Sequence, residues 1–384
     1  MKNNRTFLEK LLDGAEVEWK PLGDVCNFQN GFAFKSSLFK DNGFPIVRIT
    51  NIDGGRVNLS DVKYFLMDDY NTDMVAYEVH KDDILIAMSG ATTGKIGFYN
   101  YEHTSYLNQR VGKFLPNTNI LNNRYLYHYL LSKVEDIYII SGGGAQPNLS
   151  SNRLMSEVLI PIPQLPVQTE IVKILDALTA LTSELTSELT LRRKQYEYYR
   201  EKLLSFDSLE QLNIGGAKKK LIDVAKIKNG KDWKHLGEGD IPIYGSGGIM
   251  GYVDTYSYDK PTVLIPRKGS ITNIFYLEEP FWNVDTIYYT EINTTQILPK
   301  YFFHFMKTVD LAKLDTGSGR PSLTQAILNE IPIFVPSIEE QQRIVSILDK
   351  FETLTNSITE GLPLAIEQSQ KRYEYYRELL LNFS

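Results

Sequence analysis

The sequence is poor in cysteine and has no long apolar run. Its 384 residues include one cysteine, Cys26, so an intramolecular disulfide and a cysteine-rich zinc site are both excluded. No stretch approaches the roughly 18 apolar residues that cross a membrane. The opening MKNNRTFLEKLL is not followed by an apolar run of signal-peptide length. We therefore expect a soluble cytoplasmic protein without membrane contact.

The sequence also lacks an excess of basic charge. Its formal net charge is −6, whereas proteins that bind nucleic acid usually carry surplus lysine and arginine. The length suits two or three domains, and the hydrophobic content of 42% is enough to form buried cores. Charge alone therefore argues mildly against a nucleic-acid partner.

The motifs of common enzymes are missing or degenerate. GATTGKI (90–96) has three residues between its glycines where a phosphate loop has four, so it predicts a glycine turn after a strand. YGSGGIMGY (244–252) is followed by no ribose-binding acid and predicts a turn or a loop that exposes its backbone. The five histidines are scattered, and the matching positions of His128 and His304 favour roles in the core or on a helix surface. No Asn-Pro-Pro-Tyr or Asp-Pro-Pro-Tyr turn of an amino-methyltransferase is present. We expect no catalytic site and no metal site.

The chain does contain a large internal repeat. LGDVCNFQNG (22–31) is matched by LIDVAKIKNG (221–230), and KQYEYYREKLLSF (194–206) is almost restated as KRYEYYRELLLNF (371–383). Three further pairs are 84–99 with 263–276, 141–150 with 316–324, and 160–178 with 333–351. All five pairs follow one another in the same order, which indicates duplication of a strand-rich globular segment followed by a long helix.

Apolar residues in the two helical parts recur at alternating spacings of four and three. From Ile171 the pattern runs for five heptads to Phe206, interrupted by Thr182 and Arg192, and predicts a long helix packed on another long helix. The second copy has the same pattern, but Gly361-Leu362-Pro363 should kink or stop its helix. The predicted packing positions are Ile171, Leu175, Leu178, Tyr196, Tyr199, Leu203, Ile344, Leu348, Phe351, Tyr376 and Leu380.

These patterns predict an α+β fold. Two strand-rich α/β domains are separated by two long, antiparallel coiled-coil helices in a pseudo-symmetric tandem repeat. Glu9-Lys10-Leu11-Leu12 echoes Glu201-Lys202-Leu203-Leu204, so we expect the N-terminus to pack near the helix ends. The predicted boundaries are 1–16 for the N-terminal helical segment, 17–165 for the first globular domain, 166–210 for the central long helix, 211–335 for the second globular domain and 336–384 for the C-terminal long helix.

The order of these motifs resembles the specificity subunits of type I restriction–modification systems over essentially the whole chain. The resemblance rests on GFAFKSSLF (31–39), SGATTGKIG (89–97), IPIYGSGGIMGY (241–252) and the paired starts and ends of the helices. One departure concerns the start of the helix. The first copy has Gln168-Thr169 and the second has Gln341-Gln342, where family members commonly have Glu-Gln.

The resemblance implies a non-catalytic DNA-recognition subunit. Each globular domain would read one half of an asymmetric split target in double-stranded DNA, and the helices would set the spacer and dock two modification (methyltransferase) subunits. S-adenosylmethionine would be held by those partners, with no cofactor in this chain, and restriction/translocase subunits would complete the assembly. Two alternatives stay open: a self-contained DNA methyltransferase or nuclease with degenerate motifs, and a coiled-coil adaptor that joins two protein-binding domains.

Side chains that differ between the copies are the candidates for reading bases, because Arg, Lys, Asn and Gln hydrogen-bond to base edges. Segments 17–165 and 214–335 have nearly balanced charges, so partners would neutralise much of the phosphate. Seven lysines between 218 and 234 fit a flexible basic linker or a phosphate contact. The candidates are Lys35, Arg48, Asn51, Thr92, Lys95, Gln109, Arg110 and Gln146 in the first copy, and Lys231, Trp233, Tyr244, Ser246, Arg267, Lys268, Asn273 and Arg320 in the second.

The tetrapeptide Thr-Ser-Glu-Leu occurs twice in tandem, at 182–185 and 186–189. Four residues are slightly more than one helical turn, so adding or deleting one unit keeps the apolar side of the helix nearly in phase. Combined with the resemblance, the repeat predicts an adjustable spacer. The residues that carry it are Thr182, Leu185, Thr186 and Leu189.

Overall fold

The computed structural model describes residues 7–143, 147–211, 215–316, 319 and 321–383. The chain divides into two compact units, which we call unit 1 (Met1–Glu184 with Glu367–Ser384) and unit 2 (Leu185–Ile366). Each unit therefore contains a strand-rich part and portions of both long helical regions. Among the described residues, no helix combines the length and the apolar character needed to cross a membrane.

The described strands of unit 1 form three sheets. They are β1 (Glu18–Pro21), β2 (Cys26–Asn30), β3 (Phe44–Val47), β4 (Lys63–Phe65), β5 (Glu78–Val79), β6 (Ile84–Ala87), β7 (Ile96–Phe98), β8 (Ser105–Leu107), β9 (Val111–Pro116) and β10 (Leu159–Ile162). The sheet orders are β2-β9-β6-β7, β4-β3-β8-β5 and β1-β10, and only the β3–β8 pair is parallel. The helices are α1 (Phe7–Leu12), α2 (Leu22–Val25), α3 (Asn123–Ser132), α4 (Val134–Ile140), α5 (Ser151–Glu157) and the start of α6 (Leu165–Leu204).

The core of unit 1 lies between the β2-β9-β6-β7 sheet and helix α3. Every residue of β6 is buried, which explains its unbroken apolar sequence ILIA. Asn122 caps the N-terminus of helix α3, and its side chain accepts hydrogen bonds from the backbone N–H groups of Arg124 and Tyr125. Tyr125 is fully buried and its hydroxyl donates to the carbonyl of Pro161 at 3.0 Å. The tyrosine-rich face of this helix therefore lies in the core.

Unit 2 repeats this plan in its described residues. Its strands are β11 (Gly216–Lys220), β12 (Ala225–Lys228), β13 (Ile241–Gly245), β14 (Gly248–Val253), β15 (Thr262–Pro266), β16 (Phe275–Leu277), β17 (Trp282–Asn283), β18 (Ile287–Ile292) and β19 (Pro332–Pro336). The sheet orders are β12-β18-β15-β16, β14-β13-β17 and β11-β19, and β13–β17 is the parallel pair. The helices are α7 (Phe206–Gln211), α8 (Leu221–Val224), α9 (Pro299–Met306), α10 (Gln325–Asn329), α11 (Ile338–Asn356) and the start of α12 (Gly361–Leu381).

The second long helical region is interrupted where the sequence predicts it. Helix α11 ends at Asn356 and α12 begins at Gly361, with Pro363 in its first turn, a position that proline tolerates. Gly361 has a φ of +81°, and a Cβ there would lie 2.6 Å from the carbonyl oxygen of Thr353. The guanidinium of Arg193 donates to the carbonyl of Thr355 at 3.4 Å, a favourable place for a cation at the C-terminus of a helix.

Antiparallel pairing of the long helices is confirmed within each unit. In unit 1, Thr182 hydrogen-bonds to Ser369 at 2.8 Å, and Leu175 shares a core with Leu380. In unit 2, Arg193 contacts Thr355, as described above, while Tyr199 stacks on Phe351 with ring centroids 5.7 Å apart. In both units, contact residues with higher numbers on α6 meet residues with lower numbers on α11 or α12, as antiparallel helices require.

The predicted packing positions are not equally buried. Most face the cores, but Tyr199 and Tyr376 are 37% and 38% exposed, and Ile358, which continues the apolar pattern, is 80% exposed in the break. The buried positions are Ile171, Leu175, Tyr196, Ile344, Leu348 and Leu380, and the half-buried ones are Leu178, Leu203 and Phe351. The apolar pattern is therefore interrupted between α11 and α12.

Helix α1 packs against the core of unit 1 that contains Leu380 and Leu381, through Leu8, Leu11 and Leu12. In unit 1 it directly precedes strand β1, as α7 precedes β11 in unit 2. In element order α1 therefore corresponds to α7, while its contacts lie near the end of α12.

Two glycines allow the same close approach of two chain segments in both units. A Cβ at Gly31 would lie 2.0 Å from the carbonyl oxygen of Asn108, and one at Gly230 would lie 2.0 Å from that of Val284. We expect Gly230→Ala to lower the free energy of unfolding of unit 2 by at least about 2 kcal/mol, because backbone atoms must move. Urea unfolding followed by tryptophan fluorescence measures this, since Trp233 and Trp282 lie in unit 2.

The matched control is Gly247→Ala, because no atom lies within 4 Å of the Cβ position at Gly247. An equal urea midpoint for the two variants would contradict this account of Gly230.

Candidate nucleic-acid interface

Unit 1 has an open cleft where three chain segments meet. They are the turn after β6, the turn before β9 and the loop that leads into α5, and the end of β2 borders the cleft. The cleft has a volume of about 1120 Å³ and a largely polar lining. The side chains that matter most are those of Asn30, Met88, Ser89, Gln109, Arg110 and Asn148.

Backbone hydrogen bonds hold the three segments together. The N–H of Met88 donates to the carbonyl of Arg110 at 2.8 Å, and the N–H of Leu149 donates to the carbonyl of Met88 at 2.8 Å. The N–H of Gly90 donates to the carbonyl of Pro147 at 3.2 Å. Gly90 has a φ of +78°, a conformation that favours glycine. None of these bonds depends on a particular side chain in the cleft.

Unit 2 contains the same set of backbone bonds. The N–H of Arg267 donates to the carbonyl of Thr286 at 2.9 Å, and the N–H of Leu323 donates to the carbonyl of Arg267 at 2.8 Å. The N–H of Gly269 donates to the carbonyl of Pro321 at 3.2 Å, and the φ of Gly269 is +85°. We call this shared set of three bonds the cleft frame.

The side chains on the cleft frame differ between the units. A cation follows β15 in unit 2 but precedes β9 in unit 1, so the two cleft frames carry their positive charge on different turns. The corresponding positions are Ser89 and Lys268, Arg110 and Thr286, and Asn148 and Ser322. Asn148 and Ser322 were absent from the sequence-based candidates, although PNLS and PSLT had been matched as part of the repeat.

The cleft brings together two of the residues predicted to read bases in the first copy. Gln109 and Arg110 line it and are exposed. Thr92 follows the frame glycine but its hydroxyl donates to the carbonyl of Ile49 at 3.3 Å. Lys35 is exposed and Lys95 is half-buried, and neither lines the cleft.

Asn51 is part of the fold rather than of a binding surface. It is 2% exposed, and its amide donates to the carbonyls of Asn58 and Asp61, at 2.9 Å each. Its side-chain oxygen accepts the backbone N–H of Arg48 at 3.0 Å. Replacing these bonds by contacts with DNA would open a loop, so we correct the assignment of Asn51. Gln146 lies outside the described residues.

In unit 2, Lys268 is exposed on the cleft frame, whereas the guanidinium of Arg267 donates to the carbonyl of Asp285 at 3.2 Å. The amide of Asn273 donates to the carbonyl of Ser246 at 3.0 Å and ties down the β13–β14 turn. Arg267 and Asn273 therefore support the local fold. Arg320 lies outside the described residues.

The four remaining candidates of the second copy have mixed surroundings. Ser246 is half-buried, and its backbone N–H donates to the hydroxyl of Thr286 at 3.3 Å. Tyr244 is half-buried against the ring of Phe275, with centroids 5.6 Å apart. Trp233 packs in a small cluster with Trp282. Lys231 has an exposed side chain, while its carbonyl accepts a hydrogen bond from the indole of Trp282 at 3.2 Å.

The lysines near the start of the second copy do not form a flexible linker. Lys218, Lys219 and Lys220 belong to strand β11, which pairs with β19. Lys220 forms an ion pair with Glu330, and the ammonium of Lys218 lies 4.3 Å from the ring centroid of Phe206. The linker interpretation is therefore wrong for these three.

A buried glutamine fastens each long helix to its globular part. In unit 1, the side-chain oxygen of Gln168 accepts the N–H of Asn122 at 2.8 Å. Its amide donates to the carbonyls of Ile120 and Pro163 at 2.9 and 2.8 Å. Gln168 is fully buried and all three bonds are made inside the protein. Its neighbour Thr169 is exposed, so the departure at that position lies outside this contact.

Gln341 makes the same contacts in unit 2. Its oxygen accepts the N–H of Leu298 at 2.7 Å, and its amide donates to the carbonyls of Gln296 and Pro336 at 3.0 and 2.9 Å. Gln341 is also fully buried, and Gln342 beside it is exposed. Gln168 and Gln341 therefore anchor their helices, whereas the residues that follow them, Thr169 and Gln342, do not take part.

A buried histidine makes a second contact between the globular part and the long helix in each unit. In unit 1, Nε2 of His128 is 2.7 Å from a carboxylate oxygen of Asp176, and Nδ1 is 2.9 Å from the hydroxyl of Tyr373. Since the carboxylate can only accept, Nε2 carries the proton and Nδ1 accepts the Tyr373 hydroxyl proton. Arg124 also donates to Asp176. This network joins α3, α6 and α12 within the unit.

The corresponding histidine of unit 2 belongs to a group with metal-ligand chemistry. Among the described residues, His304, Asp349 and Glu352 could offer three ligand atoms to one ion. However, Lys300 forms an ion pair with Asp349 at 2.8 Å and Lys307 forms one with Glu352 at 3.1 Å. Both carboxylates are thus already neutralised, and the group joins α9 to α11.

Burial dominates the titration of these histidines. It lowers the pKa of His128 below the ordinary value of 6.5, although the hydrogen bond that His128 donates to Asp176 acts in the opposite direction. Burial likewise lowers the pKa of His304. Burial acts to raise the pKa of Asp176, but hydrogen bonds from His128 and Arg124 outweigh it and the pKa is lowered.

Burial raises the pKa of the Cys26 thiol to about 12, so this cysteine is not a reactive thiolate.

Aromatic side chains are exposed at matching places on the long helices. On α6, Tyr198 is 57% exposed and Tyr199 is 37% exposed. On α12, Tyr375 is 62% exposed and Tyr376 is 38% exposed. These side chains come from the two YEYYRE sequences and leave a repeated aromatic surface outside the cores.

Comparison with known proteins agrees with the repeat. The chain matches the family model described as type I restriction modification DNA specificity domain over residues 15–191 and again over 214–368. It is 42% identical to a putative type I restriction enzyme specificity subunit of Haemophilus influenzae, with 100% of both chains covered. It is 32% identical to the EcoR124I/EcoR124II specificity subunit of Escherichia coli, over 98% of this chain and 97% of that protein. Its fold is similar to the S subunit of a type I restriction–modification system from M. genitalium, with a TM-score of 0.58 and 22% identity over 96% of each chain.

The buried histidines predict that the protein loses stability in mild acid. A histidine whose pKa is lower in the folded state takes up a proton on unfolding, so its stabilising effect is complete above pH 6.5 and is lost as the pH falls below that value. The loss approaches about 1.4 kcal/mol per pH unit for each histidine. We expect urea midpoints to fall between pH 7.5 and 5, and to fall less when His128→Asn and His304→Asn are combined. The control is His80→Asn, since the His80 side chain is 56% exposed. An unchanged pH dependence in the double variant would contradict the assignment.

Proposed function

The chain belongs to the family of type I restriction–modification specificity subunits, and we propose that it selects the DNA sequence that a multisubunit adenine methyltransferase modifies. The observation that carries this proposal is the cleft frame, which has the same backbone bonds in both units but different side chains. Two such frames with different side chains would read different sequences. The target would therefore be bipartite and asymmetric, with one half read by each unit.

We propose that this chain contributes no reacting group. Its buried polar clusters, such as Gln168 with its three bonds and His304 with Asp349, are used in holding helices to globular parts. Methyl transfer from S-adenosylmethionine would take place on the modification subunits. Restriction and translocase subunits would join them in the full complex, which would act on cellular DNA in the cytoplasm.

The two YEYYRE surfaces would dock the modification subunits. Tyrosine is enriched in protein interfaces because it offers a large rigid contact area with one polar group. Tyr198 and Tyr375 are more than half exposed and lie at matching places in the repeat. Two matching surfaces support two identical partners. These partners would also supply much of the positive charge that phosphate binding needs and that a chain with a net charge of −6 lacks.

Methylation mapping tests the proposal directly. We expect the full chain, co-expressed with its modification subunits, to direct adenine methylation to one split motif with two different halves. The motif should disappear from the genome when this chain is omitted. Methylation without sequence preference would contradict the proposal, and methyl transfer by the chain alone would favour a self-contained enzyme. Protein binding without any sequence-selective DNA protection would favour an adaptor.

The Thr-Ser-Glu-Leu repeat would set the distance between the half-sites. One copy of the tetrapeptide advances a helix by about 6 Å and rotates it by a net of about 40°. One base pair advances DNA by about 3.4 Å and rotates it by about 34°. In unit 1 Thr182 is bonded to α12, whereas Thr186 and Ser187 have exposed side chains on α6. Removal of the second copy of the tetrapeptide would therefore spare the hydrogen bond between Thr182 and Ser369.

Deletion of Thr186–Leu189 should shorten the unread spacer of the target by about one base pair, if rotation governs the change. Both half-sites should stay the same, because the clefts are untouched. Methylome sequencing measures the spacer. The matched control keeps the helix length and combines Thr186→Ala with Ser187→Ala, which should preserve the original spacing. A deletion variant that still methylates the original spacing would refute the assignment.

A further inference from the structure

We propose that Arg110 in unit 1 and Lys268 in unit 2 are specificity-determining residues, each donating hydrogen bonds to a guanine of its own half-site. This inference rests on the proposed function and names the base chemistry that each cleft recognises. Its first support is position. The carbonyl of Arg110 belongs to the cleft frame, and Lys268 lies between the frame residues Arg267 and Gly269.

Backbone hydrogen bonds fix the main chain at both residues, and both side chains are exposed to solvent. Met88 fixes the carbonyl of Arg110 by a 2.8 Å bond, and Lys268 forms a β-bridge with Ser322. Both side chains are exposed, and neither makes a hydrogen bond or ion pair within the part of the chain that the structure describes. A fixed backbone with a free donor group is the arrangement that reads a base edge.

Several other cations of the same units, in contrast, are bonded within the fold. Arg124 donates to Asp176, and Lys113 donates to Asp83 at 3.2 Å. Arg267 is directly adjacent to Lys268, yet its guanidinium donates to a backbone carbonyl. Arg267 is therefore used to support the local fold, whereas the exposed side chain of Lys268 is available to a ligand.

The chemistry of the free groups selects guanine. In the major groove, guanine presents two acceptors, O6 and N7, to which arginine or lysine donates. Adenine presents an amino donor in place of O6, and a cation cannot accept from it. Arg110 and Lys268 occupy different turns of the cleft frame, since Thr286 is the counterpart of Arg110 and Ser89 that of Lys268. The recognised guanine should therefore stand at a different place in each half-site.

The test measures methylation rates of the assembled complex on duplexes in which each base pair of the wild-type motif is changed in turn. For Arg110→Ala, we expect the preference for one G·C pair in one half-site to fall by about 10- to 100-fold. The base preferences in the other half-site should be unchanged, which also shows that the variant is folded and assembled. Lys268→Ala should produce the reciprocal result. Arg110→Gln should change the preferred base at the same position from guanine to adenine, because glutamine pairs with adenine.

Lys260→Ala is the matched control for an exposed cation, and Lys81→Ala is the control for an exposed cation that pairs with an acid, Glu102. Both lysines are exposed, and they precede β6 and β15, at the ends of these strands that are remote from the clefts. They should leave every base preference unchanged. Equal loss of rate on all duplexes after Arg110→Ala or Lys268→Ala would identify a phosphate contact and overturn the inference, as would loss of preference at an A·T pair. Failure of the proposed function is distinguishable, since the wild-type complex would then have no base preference to map.

Discussion

Each globular part of this chain depends on a buried glutamine that fastens it to a long helix. Gln168 and Gln341 each make three hydrogen bonds to backbone groups in places from which water is excluded. Removing such a side chain would leave three buried polar groups without partners, which is costly. Hydrogen bonds are directional whereas apolar burial is not. The glutamines, supported by the His128–Asp176 and His304–Asp349 contacts, therefore define how each helix leaves its own globular part.

In each cleft frame, the groups that hold the fold are different from the side chains that would contact DNA. Their frame consists of backbone bonds and of glycines at positive φ, so it places no demand on the side chains that line it. Ser89 in one unit and Lys268 in the other occupy equivalent places without altering those bonds. A reader of DNA benefits from this separation, because its target can change by substitution at the lining while the fold is retained.

Several features were predictable because they depend on local or periodic properties. The heptad spacing predicted α6, and Gly361 with Pro363 predicted the break between α11 and α12. Other predictions failed because polarity does not reveal burial. Asn51 and Arg110 were equally plausible readers, yet only tertiary contacts place the amide of Asn51 inside a loop. The lysines of β11 fitted a flexible linker as well as a phosphate contact, because their partner strand, β19, lies far along the chain, and only the linker interpretation failed.

The sequence by itself determined the duplicated plan, the long helices, the position of the helix break and the family to which the chain belongs. These follow from order and periodicity, which are written along the chain. Tertiary structure alone decided which polar residues are free to bind. In the folded chain the N–H of Gly90 donates to the carbonyl of Pro147. The guanidinium of Arg267 donates to a backbone carbonyl, whereas the side chain of Lys268 is exposed. Such outcomes depend on hydrogen bonds between distant segments, and composition and spacing do not encode them locally.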